Sequence, residues 1–409
     1  MDELHDRFHR LDRIATPELW PEAVGRAAAL DAARRGGFNP AMVLTAAALL
    51  MAALAGTIAV GGWVNRPDVD PLSVRYSNGV VAAIGNCGTI VGIDPDSAVV
   101  SELVTTSSDA ECYDVMDLDW SSDGRWLVYS VPGAVTDGER TSEVWVRDTR
   151  SGSETLVQSC EACWNIDISP DGSLVTYVDY AGDAGLELGI ARTDGSSIHR
   201  VPFLGSPGQP AFSPDGEAIA IPLTGGTSGI HVLDVSSLED ATTPTMWLVH
   251  GPVASSHVSW SPDGEWLAFD KLANDGFSEI WAVRRYGTDA RLLASGPNRE
   301  FLANPNWSAD SSTVAYSSIA SGEMRIEPML EIWTATLDGE TNRIHRAPCC
   351  AWNVGAPTWS PDNEWIAFGA EAENTTRAGI YLVRPDGSDL RRLSGFAQEP
   401  NWQPLVEDQ

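Results

Sequence analysis

Positive charge is scarce in this chain. It has 26 Lys and Arg residues against 57 Asp and Glu, Lys271 is its only lysine, and its formal net charge is −31 at pH 7. A surface this acidic repels phosphate, so we expect no nucleic-acid partner. Hydrophobic residues make up 43% of the 409 residues. That is enough for a packed core, which excludes wholesale disorder.

Familiar catalytic and metal-binding motifs are also missing. A serine hydrolase needs a Gly-x-Ser-x-Gly elbow, and the nearest string, Gly226-Thr-Ser-Gly229, lacks that spacing. The histidines include no His-Glu-x-x-His pattern, and no stretch matches the Asp-x-Asp-x-Asp-Gly pattern of a calcium loop. We therefore predict a protein that is not an enzyme, with no catalytic residue, no metal and no cofactor.

One long apolar run, residues 41–64, carries no charged side chain. A helix of this length reaches about 36 Å, which spans a hydrocarbon layer of about 30 Å. We predict a transmembrane helix; the alternative is a cleaved signal peptide, since Ala53-Leu54-Ala55 could serve as a cleavage site. Arg26, Arg34 and Arg35 precede the run, and basic flanks mark the cytoplasmic side. The prediction is a single-pass cell-membrane protein with a cytoplasmic N-terminus and an extracytoplasmic remainder.

The segments around this span are short. Residues 1–40 show an apolar stripe at Leu4, Phe8 and Leu11, which predicts a small helical head in the cytoplasm. Such helices cannot bury a core alone, so we expect them to contact a cytoplasmic protein partner or the membrane surface. Residues 65–77 are predicted to be a linker, followed by one domain over residues 78–409.

A short phrase recurs along that domain. It consists of an aromatic or aliphatic residue, Ser, a Pro-Asp or related pair, and Gly or a small polar residue, and successive copies start 44 to 52 residues apart. Pro presets φ and Gly accepts a positive φ, so the phrase predicts a tight turn. The copies begin at Trp120, Ile168, Phe212, Trp260, Trp307 and Trp359, with an echo at Trp402.

Short β-type runs follow each turn, as at Trp266–Phe269, Ile280–Ala282 and Arg291–Leu293. Four short strands per repeat predict the blades of an all-β propeller. The count of runs gives seven blades, with six or eight as alternatives. The first strand type is one copy short, so we predict that the segment around Trp402 becomes the innermost strand of the N-terminal blade. The alternative is a local first strand at residues 73–76.

The phrase, the strand after it and a later Asp-Gly-Ser turn, as in Asp194–Ser196, resemble the repeat of TolB-like, WD40-like β-propellers. The resemblance covers roughly residues 78–405 and implies a bacterial propeller. It leaves function open, because such propellers serve as binding platforms, scaffolds or gating domains of peptidases. The order of head, span and propeller looks like membrane-anchored propellers of actinobacterial type, some of which are associated with extracytoplasmic-function sigma factors.

All six cysteines follow the apolar run: Cys87, Cys112, Cys160, Cys163, Cys349 and Cys350. An even number outside the membrane predicts disulfides. In the predicted propeller they all lie in loops on one face of the ring, and proximity favours the pairs Cys87–Cys112, Cys160–Cys163 and Cys349–Cys350. A redox motif or a four-cysteine zinc site is the alternative interpretation.

The same face carries candidate binding residues, namely Trp164, Asn165, Arg299, Glu300, Trp352 and Asn353. The tryptophans either cap the core under their loops or form an aromatic platform for a protein or envelope ligand. The leading hypothesis is a non-enzymatic extracytoplasmic binding or sensing module that signals through its cytoplasmic head. The alternatives are a cell-envelope scaffold and an enzyme that uses the propeller funnel, such as a lyase or glycan hydrolase, for which no acid pair stands at a suitable spacing.

Overall fold

Short strands make up almost all regular structure in the described part of the chain. The computed structural model describes residues 76–85, 89–105, 117–136, 139–180, 185–196, 198–238, 244–273, 277–296, 300–320, 329–348, 356–370, 379–395 and 398–406. The predicted head, membrane segment and most of the linker lie outside these residues. Within them, no helix is both long enough and apolar enough to cross a membrane.

The strands, in chain order, are β1 (Tyr76–Ile84), β2 (Thr89–Ile93), β3 (Val100–Thr105), β4 (Asp117–Trp120), β5 (Trp126–Thr136), β6 (Glu139–Asp148), β7 (Glu154–Cys160), β8 (Cys163–Ile168), β9 (Leu174–Tyr180), β10 (Leu186–Arg192), β11 (Ile198–Pro202), β12 (Ser206–Pro207), β13 (Ala211–Phe212), β14 (Ala218–Thr224), β15 (Gly229–Asp234), β16 (Met246–His250), β17 (Val258–Trp260), β18 (Trp266–Leu272), β19 (Ser278–Arg284), β20 (Arg291–Ser295), β21 (Glu300–Trp307), β22 (Thr313–Ala320), β23 (Met329–Thr336), β24 (Thr341–Pro348), β25 (Thr358–Trp359), β26 (Ile366–Ala370), β27 (Gly379–Val383), β28 (Arg391–Ser394) and β29 (Gln398–Val406). A short 3-10 helix, Val235–Leu238, follows β15.

These strands form seven antiparallel sheets, the blades of a propeller. The first blade has the order β29-β1-β2-β3, and the next is β4-β5-β6-β7. Blades three to seven follow in sequence, and the fourth contains the extra short strand β12. The innermost strands contact one another in a complete cycle: β29 with β4, then β8, β13, β17, β21, β25 and back to β29. The prediction of seven blades is confirmed, and the alternatives of six or eight are wrong.

The C-terminal strand closes the ring. In β29, Trp402 pairs with Val81 of β1, and Val406 pairs with Tyr76 at the other end of the ladder. The predicted closure is therefore confirmed. The alternative of a local first strand is wrong, because Tyr76 begins the second strand of this blade. Pairing the termini in one sheet leaves no open edge along the inside of the ring.

Each residue of the repeated phrase has a local role. In the second blade, Ser121 Oγ donates to Asp123 Oδ1 at 2.7 Å and accepts from the Trp126 N–H at 3.0 Å. Gly124 has a φ of 65°, the left-handed conformation that glycine adopts without steric cost. Where the phrases of the sixth and seventh blades lack glycine, Ser311 and Asn363 adopt φ values of 60° and 62°. The turn geometry is therefore kept although its glycine is not.

The core lies between blades, because each radial sheet buries both of its faces. One cluster joins Ala82 and Ile84 of the first blade to Leu118, Trp120 and Tyr129 of the second. Similar clusters join other neighbouring blades, each with the leading aromatic of the phrase. The hydrophobic effect therefore holds the ring together between its sheets, while hydrogen bonds hold each sheet together.

Free backbone groups on the innermost strands are satisfied by the neighbouring blade. The Trp402 indole N–H donates to the Thr358 carbonyl at 3.2 Å, and the Trp260 indole donates to the Ala211 carbonyl at 3.0 Å. In the other direction, the Asn306 side-chain oxygen accepts from a backbone N–H of the seventh blade at 3.3 Å. Buried backbone groups need such partners, so the innermost strands carry polar side chains at regular positions.

Candidate functional site

The predicted binding residues are only partly within the described chain. Trp164 and Asn165 lie in β8, the innermost strand of the third blade; both are half-buried, and Asn165 has a φ of 51° at a β-bulge. Glu300 begins β21, and its side chain is not described. Arg299, Trp352 and Asn353 lie outside the described residues. A platform that joins the two tryptophans therefore stays a prediction.

One predicted disulfide is present. Cys160 and Cys163 are bonded, with their Cα atoms 5.8 Å apart. Cys160 ends the outermost strand of the second blade and Cys163 begins the innermost strand of the third. The bond therefore clasps a blade-to-blade connection, as predicted. Cys87, Cys112, Cys349 and Cys350 lie outside the described residues.

A repeated alternation defines the wall of the central channel, the space enclosed by the seven innermost strands. Residues of each innermost strand are numbered here by their distance before the leading residue of the phrase. In the second blade the leading residue, Trp120, and the second residue before it, Leu118, are buried. The first and third residues before it keep accessible surface; we call these the wall positions. They are Asp119, Asp167, Ala211, Ser259, Asn306, Thr358 and Asn401, and Asp117, Asn165, Gln209, His257, Asn304, Ala356 and Glu399.

Charge at the wall positions is one-sided. The four carboxylates, Asp117, Asp119, Asp167 and Glu399, belong to the first three blades, and the remaining wall positions carry amides, small residues and one histidine. Asp117 Oδ2 accepts from the Ile166 N–H at 2.9 Å, which ties the second blade to the third. The channel wall thus has an acidic arc, formed by Asp117, Asp119, Asp167 and Glu399 in the first three blades, and a neutral arc in the other four blades.

The carboxylates of the arc perturb one another. Asp117 lies deep in the ring, and its burial, reinforced by the nearby charges of Glu399 and Asp119, raises its pKa to about 8. Burial also raises the pKa of Asp167 well above its usual range, helped by the Asp119 charge and a hydrogen bond with that carboxylate. Two carboxyl groups that are hydrogen-bonded to each other share a proton. With its pKa of about 8, Asp117 is mostly protonated at neutral pH.

Across the ring, His257 occupies the wall position of the fifth blade and is held by Asp270. His257 Nδ1 lies 3.0 Å from Asp270 Oδ2, while Oδ1 accepts from the Ser255 hydroxyl at 3.0 Å and from the Ser256 and His257 N–H groups at 2.9 Å. Burial acts to raise the pKa of Asp270, but these hydrogen bonds and the His257 charge outweigh it and lower the pKa. An ionised carboxylate of this kind fixes an imidazole in one orientation.

Sequence reasoning missed the acidic arc, although a signal was available. Asp119 and Asp167 each stand one residue before the leading residue of the phrase, in consecutive repeats. Aligning the repeats on the phrase would have placed both carboxylates on the inside of neighbouring blades. Along the chain itself these two carboxylates are 48 residues apart, so they do not form a local acid pair.

The fold and its closed cycle of innermost strands define a seven-bladed β-propeller, with an acidic arc on its channel wall. The sequence model of the family described as TolB beta propeller domain matches residues 151–406, which is more than half of the chain. The chain therefore belongs to the TolB β-propeller family. This confirms the resemblance seen in the repeat. Membrane anchoring and an actinobacterial origin stay predictions.

Other similar proteins differ in function. An uncharacterized protein of Agrobacterium fabrum is 23% identical over 260 residues, which cover 61% of this chain and 82% of that protein. The periplasmic gluconolactonase of Pseudomonas aeruginosa superposes with a TM-score of 0.56 at 12% identity, over 80% of this chain and 99% of that one. The oligogalacturonate lyase of Vibrio parahaemolyticus superposes with a TM-score of 0.51 at 15% sequence identity, over 77% of this chain and 86% of that one. Likenesses at this identity show the fold alone.

Proposed function

We propose that this chain is a non-enzymatic binding propeller, tethered outside the cell membrane, whose ligand is a cationic segment of a protein partner. The observation that carries the proposal is the acidic arc at the wall positions of the first three blades. Asp117, Asp119, Asp167 and Glu399 interact with one another there, and none of the wall positions in the seven blades carries Lys or Arg.

A cationic ligand would relieve the cost of keeping these carboxylates together. Burial and neighbouring carboxylates raise the pKa of Asp117 and of Asp167. A Lys or Arg side chain within the arc would stabilise the ionised forms. The chain as a whole, with a net charge of −31, would also steer a basic partner toward the ring. Asn165 and half-buried Trp164, at the cysteine-bearing end of β8, would extend the binding surface.

The same wall argues against anionic substrates. A lyase for oligogalacturonate acts on a polyanion, and recognition of many carboxylates calls for Arg or Lys side chains. The wall positions supply the opposite charge. This supports a binding role over the activity of the lyase that shares the fold.

The test uses unstructured peptides of equal length that are rich in Arg, Ser or Glu, with binding followed by fluorescence anisotropy. We expect the Arg-rich peptide alone to bind, with an affinity that falls as salt rises. The double variant Asp119→Asn with Glu399→Gln should weaken binding roughly tenfold. The matched control, Asp194→Asn with Asp386→Asn, removes the same charge from two exposed turns. Equal loss in both variants would show that only net charge matters and would overturn the proposal.

The tether and the cytoplasmic head complete the proposal. The uncharged run at residues 41–64 and the arginines before it support an inside head and an outside propeller. Protease added to intact cells should degrade the propeller and spare residues 1–40; digestion of the head first would reverse the orientation. Capture of a cytoplasmic protein by residues 1–40 would favour signalling, while a head without a partner would favour the scaffold alternative.

A second candidate is an enzyme that uses the funnel, and one observation favours it. Asp270 orients His257 at a wall position, which is how a general base is held in many hydrolases. The proton-holding carboxyl of Asp117 could supply an acid on the same wall. Screening the propeller against lactones and uncharged glycans decides: turnover that His257→Gln abolishes would favour the enzyme, and no turnover would favour the binding role.

A further inference from the structure

The Cys160–Cys163 clasp has a carboxylate beside it. The ligand atoms of Cys160, Cys163 and Asp179 all lie within 4.8 Å of one another, and all three residues are buried. Cys160 and Cys163 are separated by two residues, the Cys-x-x-Cys spacing that recurs in zinc sites. Sequence and fold thus bring two sulfur ligands and one oxygen ligand to one point.

Asp179 has an oxygen atom without a partner. Its Oδ2 accepts from Arg200 Nη1 at 2.9 Å, but Oδ1 is buried and has no hydrogen-bond partner among the described residues. The Asp179 side chain is only 5% exposed. A buried carboxylate oxygen left unpaired is costly, and such groups in native structures point to a missing ligand or ion.

The charges around Asp179 sum to a net negative charge, which favours a bound cation. Arg200 also contacts Glu187, so one guanidinium faces two carboxylates. If both cysteines were thiolates, the group would carry four negative charges against one positive charge. A divalent cation would leave a single negative charge, a balance that favours binding.

Strand pairing holds each of the two cysteines within its own blade. Cys160 pairs with Ser142 of β6, and Cys163 pairs with Asp179 of β9. Because Cys163 and Asp179 are cross-strand neighbours, the carboxylate and the thiol share one site in the ladder. The ladder therefore places the Cys163 thiol beside the Asp179 carboxylate independently of the disulfide.

We propose that the reduced Cys160–Cys163 pair and Asp179 together bind one thiophilic divalent cation, such as Zn²⁺, and that the disulfide is the metal-free form of this site. The three protein ligands leave a fourth tetrahedral position for water. The inference concerns the junction of the second and third blades and is independent of the acidic arc.

The chemistry balances with a phosphine as reductant. The phosphine takes an oxygen atom from water and becomes its oxide, while the S–S bond breaks and each sulfur gains one electron and one proton. Zn²⁺ then displaces the two thiol protons and forms two Zn–S bonds. Hydrogen peroxide reverses the step: it takes two electrons from the two thiolates and, with two protons, becomes two water molecules, while the Zn–S bonds break, the S–S bond reforms and Zn²⁺ leaves.

The test uses the full chain with Cys87, Cys112, Cys349 and Cys350 replaced by Ser, so that only this pair remains. After phosphine treatment, Zn²⁺ binding is measured by calorimetry, and Cd²⁺ or Co²⁺ binding by the ultraviolet thiolate-to-metal absorption. We expect one ion per chain after reduction and none in the oxidised form. Asp179→Asn, which keeps both thiols, should weaken binding at least tenfold.

The matched control is Glu161→Gln, which removes an exposed carboxylate from the turn between the two cysteines and lies outside the ligand group. It should bind the ion within about threefold of the parent. Binding that is unchanged in Asp179→Asn, or a reduced parent that binds no ion, would overturn the proposal. Circular dichroism of each variant separates lost binding from lost folding, and a variant that unfolds is replaced by Asp179→Ser.

Discussion

The closing strand offers the sharpest test of what holds the ring together. Trp402 is 4% exposed, packs with Val81, Ile380 and Leu382, and donates its indole N–H to Thr358. It therefore supports both the first blade and its contact with the seventh. Truncating a buried Trp to Ala costs about 4 kcal/mol from lost burial and the cavity that remains.

We expect Trp402→Ala to lower the free energy of unfolding by about that amount, which is a large part of a typical total stability of about 5–15 kcal/mol. The melting temperature should fall by about 6 °C. Trp402→Phe keeps an aromatic ring but loses the hydrogen bond, so its cost should be about 1–2 kcal/mol. Urea unfolding followed by tryptophan fluorescence measures both differences.

The control lies on the same strand. Leu405 is 37% exposed, so Leu405→Ala should cost less than about 1 kcal/mol. Deleting residues 398–409 should open the inner edge of the first blade, whereas deleting residues 407–409 should leave the strand intact. If Trp402→Ala were no worse than Leu405→Ala, the ring would not depend on this closure and the argument would fail.

Three further changes test the wall, the His257 clamp and the disulfide. The pKa of Asp117 is raised in the folded state to about 8, so its contribution to stability is complete below about pH 4 and is lost as the pH rises toward 8. Asp117→Asn should reduce the loss of unfolding free energy between pH 5 and pH 8, measured by urea unfolding. An unchanged difference between the two pH values would contradict the assignment. Asp270→Ala leaves the Ser256 and His257 N–H groups without their acceptor. It should lower the free energy of unfolding by about 3 kcal/mol, measured by thermal unfolding. A decrease of less than about 1 kcal/mol would contradict the role of Asp270 in holding His257. Replacing Cys160 and Cys163 by Ala should cost only about 2 kcal/mol, because the loop they close is short; a much larger loss in calorimetry would mean that the bond supports more than its own turn.

The ring was predictable because its signal is repeated. Each copy of the phrase places a hydroxyl, a carboxylate and a residue that accepts positive φ where the turn needs them, as in Ser121, Asp123 and Gly124. Turn chemistry is local, so it can be read from consecutive residues. The closure by Trp402 followed from a count of strand types and needed no distance.

The acidic arc was predictable only in part: the repeat places Asp119 and Asp167 on neighbouring blades, but it does not show what the closing strand brings to them. Asn401 and Asp119 are 282 residues apart in sequence, yet Asn401 Nδ2 donates to Asp119 Oδ1 at 2.9 Å. Only the closure of the ring makes them neighbours. The orphaned Asp179 Oδ1 beside the clasp is likewise a result of pairing between β8 and β9.

By itself, the sequence determined the architecture of this protein: the repeat, seven blades, the closing strand and one cysteine pair. These depend on backbone turns and on alternation of apolar residues, which act over a few residues. The tertiary structure alone decided that Glu399 lies near Asp117 and how the carboxyl groups of the arc ionise. A carboxyl pKa depends on burial and on nearby charges. A charge on a neighbouring blade, that of Glu399 for Asp117 and that of Asp119 for Asp167, contributes to each shift.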